Sequence, residues 1–78
     1  MSTPDPVILA LIAARERYEA ECHAHIELNA LSLGASHATL IEAHRNVVAA
    51  EQATCEAVAE LWRALDTATL DSKSRWSN

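Results

Sequence analysis

Two stretches of this chain repeat apolar residues at the period of an α-helix. In the first, Ile8, Leu11, Ile12, Tyr18, Cys22, Ile26 and Leu33 recur on one side of a 3.6-residue turn. In the second, Leu40, Val47, Val58, Leu61, Trp62 and Leu65 do so, with Ile41, Val48 and Cys55 widening the stripe. Between them lies Leu33-Gly34-Ala35-Ser36, which holds the only glycine, and no proline follows Pro6. The flanks are rich in Ala, Leu and Glu, all strong helix formers. The pattern predicts an all-α fold, an antiparallel two-helix hairpin (αα-hairpin). It forms a single domain over 1–78, with helices at about 6–32 and 37–70 and a frayed tail at 71–78.

The element ends carry their own signals. Pro6 disfavours a helical Asp5, which leaves the Asp5 carboxylate free to cap the first turn, while Pro6 takes the position whose missing N–H is not needed. Gly34 is expected to stop the first helix in a left-handed conformation, and Ser36 to cap the second. At 1.5 Å per residue the helices are rods of roughly 40 and 50 Å.

The apolar pattern exceeds what a hairpin can bury. The stripe of the second helix covers about half its circumference, wider than a surface helix needs. The first helix has a further patch, Leu9, Leu28 and Leu31, on its other side. Surplus apolar surface marks an interface. The expected partner is a second copy, giving a homodimer that assembles as a four-helix bundle, or a larger protein. The residues expected to build the interface are Leu11, Arg15, Tyr18, Ile41, Val48, Glu51, Val58 and Trp62.

Composition narrows the classes. The chain has 78 residues, and much of its apolar half is alanine, which buries little surface. A two-helix hairpin of this size is marginal by itself. The net charge of −5 argues against nucleic acid as a partner. The run Val7-Ile8-Leu9-Ala10-Leu11-Ile12-Ala13-Ala14 is short of the roughly 20 residues a membrane span needs, and the N-terminus lacks the charge of a secretory signal. The expectation is a cytoplasmic protein with no membrane partner, whose Cys22 and Cys55 are thiols. Lys73-Ser74-Arg75-Trp76 reads as a solvated end. Arg17–Glu21, Glu42–Arg45 and Glu60–Arg63 read as surface pairs on a helix.

If the chain reverses near Gly34, facing residues have numbers summing to about 69 or 70. That register sets Ile8 against Leu61, Leu11 against Val58, Cys22 against Val47 and His25 against His44. Cys22, His25 and His44 could then approach a common point, a donor set suited to zinc but short of a fourth ligand. Glu51 falls within the apolar arc, where a carboxylate needs a partner. Tyr18 faces it, Arg15 is within reach, and such a layer would fix the register. His23 and His37 read as surface residues. No Glu-x-x-His motif of the di-iron bundles is present, and no nucleophile or glycine loop accompanies Glu51, so neither an enzyme nor a cofactor is expected.

The stretch Pro4-Asp5-Pro6-Val7-Ile8-Leu9-Ala10-Leu11-Ile12, an Arg/Glu-rich helix, and then Ala59-Glu60-Leu61-Trp62-Arg63-Ala64-Leu65-Asp66-Thr67 resembles short uncharacterised bacterial helical-hairpin proteins. The resemblance covers the ends of both helices and implies the hairpin but no mechanism. The chain departs after Thr67, where Ala68-Thr69-Leu70 replaces a Pro/Thr-rich turn and a third segment is absent. The leading expectation is a non-enzymatic helical interaction module. The alternatives are a small metal-binding bundle using Cys22, His25 and His44, and a small acidic regulator or inhibitor that competes for a basic groove.

Overall fold

A computed structural model of the chain shows two α-helices, α1 (Pro6–Leu31) and α2 (His37–Trp76), folded into an antiparallel hairpin. The structure describes residues 5–31 and 33–76, the last five by backbone alone. Both helix starts are capped. The Asp5 carboxylate accepts from the Val7 N–H at 2.9 Å, and the Asp5 carbonyl accepts from the Leu9 N–H at 3.0 Å. At α2 the Thr39 N–H donates to Ser36 Oγ at 3.3 Å, while Ser36 and Thr39 share a hydroxyl–hydroxyl bond of 2.9 Å. The Asp5 and Ser36 side chains thus occupy the Val7 and Thr39 N–H groups, which the first turn of a helix leaves without partners.

The turn is built differently from the expectation. Gly34 does not adopt a positive φ, so no left-handed stop ends α1. The Leu31 carbonyl instead accepts from the N–H of Gly34 at 3.4 Å and of Ala35 at 3.1 Å. Leu33 and Gly34 lie in a turn, and Ala35 and Ser36 carry the chain outside regular structure to the start of α2. Ser32, the expected last residue of α1, lies outside the described residues.

The seam between the helices is a ladder of alternating three- and four-residue steps. On α1 it runs Val7, Ala10, Ala14, Glu21, Ala24, Leu28 and Leu31, all buried or half-buried; Arg17 completes the steps and is exposed. On α2 it runs Leu40, Ala43, Val47, Ala50, Thr54, Ala57, Leu61 and Ala64. Positions whose numbers sum to about 71 lie level. Val7 and Ala64 accordingly line one cleft, and Leu31 and Thr39 another. Large residues meet small ones along the ladder: Leu61 lies level with Ala10, Val47 with Ala24, and Leu28 with Ala43. Such alternation lets two helices interdigitate closely. The fully buried members are only Ala14, Ala43 and Val47.

This seam corrects the expected one. Ile8, Leu11, Ile12, Tyr18 and Ile26 are exposed, so the pairs Ile8–Leu61 and Leu11–Val58 do not form the centre of the interface. Leu28 and Leu31, expected on the far side of α1, are in the seam. The physical reason is that large side chains were assumed to face the partner helix, whereas the close approach selects alanine. The expected register followed the flank of the seam, one helical position away from its centre.

α2 also outlasts the expectation. The tail expected to fray from residue 71 is helical through Trp76, while residues 77 and 78 lie outside the described ones. No glycine or proline interrupts it, and hydroxyls that could disrupt it bond back into the helix. Thr67 Oγ1 donates to the Arg63 carbonyl at 3.0 Å and Thr69 Oγ1 to the Leu65 carbonyl at 2.8 Å. Helices of 26 and 40 residues span roughly 39 and 60 Å, so α2 projects beyond the start of α1. The hairpin measures 65 × 25 × 13 Å between Cα extremes. Among the described residues no helix is long and apolar enough to cross a membrane.

Candidate functional site

With the seam fixed, the positions on either side of it define two broad faces of a flat hairpin. One face takes Ile8, Leu11, Arg15, Tyr18, Cys22 and His25 from α1. From α2 it takes Ile41, His44, Val48, Glu51, Cys55, Val58, Trp62 and Leu65. Ile12 and Ile26 extend it around the outer edge of α1. Ten of these residues are large hydrophobic or aromatic side chains left exposed, with Trp62 at 62% and the others between 37% and 63%. All eight residues expected to form an interface lie on this one face, and all are exposed.

The opposite broad face has a different character. Glu16, Glu27, Glu42, Glu56 and Glu60 are exposed there among alanines. Glu27 and Glu42 line one shallow open cleft, and Glu56 and Glu60 line another with Arg17. Arg63 approaches Glu60 at 3.7 Å, the one expected surface pair that closes. The two faces therefore differ, one mostly apolar and the other carrying glutamates together with the exposed Leu9.

Three polar groups on the apolar face, Arg15, His25 and Glu51, pair locally. His25 Nε2 lies 3.3 Å from Glu51 Oε1 across the seam and 3.9 Å from Glu21 Oε2 in its own helix. Glu51 thus takes His25 as its partner and is half-exposed, in place of the expected buried layer with Arg15 and Tyr18. Arg15 turns along its own helix to Glu19, at 3.3 Å. The difference follows from side-chain direction. Helical side chains lean toward their own N-terminus, so on antiparallel helices His25 and Glu51 lean toward each other, while Arg15 leans away from Glu51.

The surroundings of Tyr18 shift its titration. The Cys22 side chain one turn away, and after it the Glu21 carboxylate, hold the phenol above its ordinary pKa. Cys22 is half-buried, Cys55 is exposed, and both are free thiols. Cys22, His25 and His44 are not brought to a common point. Among the described residues no group of three His, Cys, Asp or Glu side chains stands in an arrangement that could hold a metal.

An open cleft of about 570 Å³ lies between the start of α1 and the projecting part of α2, lined by Asp5, Pro6, Val7, Arg63, Ala64, Thr67, Ala68 and Asp71. Its walls present one ion of each sign beyond Asp5 and no nucleophile beside a base. Comparison with known protein families, curated proteins and solved structures finds no match to this chain.

Proposed function

We propose that this protein is a non-enzymatic helical interaction module whose working surface is the apolar broad face. The observation that carries the reading is the division of the hairpin into one face of exposed Ile, Leu, Val, Tyr and Trp and one of glutamates. Contiguous apolar surface beyond a few hundred Å² marks a binding surface on a water-exposed fold. Its members Arg15, His25 and Glu51 are already paired, so covering it leaves few charges without partners. Exposed Trp and Tyr are the residue types that anchor interfaces.

The test compares the wild type with Leu11→Glu and Trp62→Glu on the apolar face, and with Glu56→Gln on the acidic face as control. Sedimentation velocity reads assembly and far-UV circular dichroism reads helix content. The two face variants should keep their helices and lose association, while the control retains it. Unchanged assembly in all three would refute the reading. A second reading, an acidic regulator of a basic groove, draws on the five glutamates of the other face. It requires binding that weakens steeply with salt, whereas pairing of apolar faces does not.

A further inference from the structure

We infer that the occupant of the apolar face is a second copy of this chain, stacked face to face with both turns at the same end. The inference rests on the reading above, that this face binds. Side chains of this size expose roughly 150–250 Å² in full, so the eight on the broad face itself, about half exposed, offer roughly 800 Å² per copy. A stable interface needs about 800 Å² per partner, so two copies of this one face suffice. Pairing through the opposite face would, by contrast, set the glutamates of two copies against one another.

The distribution of residues along the face sets the orientation. Near the open end of the hairpin, Ile8 and Leu11 lie beside Val58, Trp62 and Leu65, with no charged residue between them. Toward the turn the face is mixed, with Ile41 and Val48 interleaved with the His25–Glu51 pair and His44. A two-fold axis parallel to the helices keeps each level of one copy over the same level of the other. Apolar then covers apolar, α1 stacks on the partner's α2, and every neighbouring pair of helices is antiparallel. The two His25–Glu51 pairs meet in one polar layer, where each carboxylate finds imidazole donors from both copies.

The opposite-ended alternative fails on the same distribution. Full overlap with the turns at opposite ends would lay Trp62 and Leu65 over His25, His44 and Glu51, removing polar groups from water against side chains that cannot bond them. Sliding the copies until the two apolar ends coincide would leave more than half of each face uncovered, below what a stable dimer buries. The same-ended stack also places the two projecting ends of α2 side by side.

Leu33, at 93% exposure in the turn, gives a label site that touches nothing. Leu33→Cys, in the full chain with Cys22→Ala and Cys55→Ala, carries a nitroxide, and pulsed dipolar spectroscopy reads the distance between copies. Helices in contact lie 8–10 Å apart, so same-ended stacking predicts a label distance below about 25 Å. Opposite-ended stacking predicts at least about 40 Å, the length of α1. A short distance that disappears when Trp62→Glu is added supports the inference. A long distance that Trp62→Glu abolishes overturns the orientation while leaving the face as the binding surface. A distance that survives Trp62→Glu overturns both, because the copies then meet elsewhere. The absence of any distance between copies overturns the second copy as occupant.

Discussion

Val47 and Val48 are adjacent residues of one type with opposite expected behaviour. Val47 is 4% exposed in the seam and Val48 is 49% exposed on the apolar face. Replacing Val47 by alanine removes two carbon groups at about 0.8 kcal/mol each, and the incompletely collapsed site adds to that, for a total of about 2 kcal/mol. For a domain of this size each kcal/mol moves the melting temperature by about 4–8 °C, so the shift should be roughly 8–16 °C. Val48→Ala should change the dilute chain by under about 0.5 kcal/mol, as surface substitutions do. Because a folded dimer is stabilised by mass action, the Val48 effect should grow with protein concentration, whereas the Val47 effect persists at every dilution. The assay is urea and thermal unfolding of both variants by far-UV circular dichroism over a dilution series. A larger effect for Val48 than for Val47 in the dilute limit would mean that α2 is rotated by one position and that the larger residues form the seam after all.

Gly34→Ala should stabilise the hairpin by about 0.4–1 kcal/mol, because Gly34 has no positive φ, an added Cβ meets nothing within 4 Å, and alanine restricts the unfolded chain; destabilisation in urea unfolding would contradict this turn geometry. Arg15→Ala should cost under about 0.5 kcal/mol by the same assay, since its pair with Glu19 is an exposed contact one turn apart; a loss of 3 kcal/mol or more, about what breaking a buried pair costs, would restore the discarded Arg15–Glu51 layer. Tyr18, the only tyrosine, should ionise above its ordinary range in an absorbance titration, and Cys22→Ala should bring the transition back down. A phenol whose folded pKa is raised contributes stability that is present below its unfolded pKa and lost as pH rises through the folded one, so any stabilisation from this contact disappears only in the alkaline range.

The sequence made the hairpin legible because its punctuation is sparse. With one glycine and no proline after Pro6, the turn had one place to fall, and Asp5 and Ser36 mark helix starts through side-chain chemistry that is local in sequence. The rotation of α1 about its axis was not legible. Its apolar residues are spread over several sides, and the seam uses Ala10, Ala14 and Ala24, which carry the weakest apolar signal of all. A reading that follows large side chains therefore places Ile8, Leu11 and Tyr18 against α2, when close approach of the backbones favours methyl groups there. The same eight residues assigned to an interface still share one face, because the misplaced register was displaced from the seam onto its flank. The partner of Glu51 was missed for a related reason: spacing alone does not show that helical side chains lean toward their N-termini, which joins His25 to Glu51 and parts Arg15 from it. The end of α2 was missed because the polar run Asp71-Ser72-Lys73-Ser74 reads as a frayed end, although no glycine or proline there stops the helix.

The central claim is that the apolar broad face is covered by another copy, and the molar mass of the chain in solution tests it most directly. Light scattering on the eluting protein should give about 17 kDa, twice the 8.5 kDa of one chain, and about half that for Leu11→Glu combined with Trp62→Glu while both keep their helical spectrum. A wild-type mass of 8.5 kDa at every concentration, unaltered by the two substitutions, would contradict it.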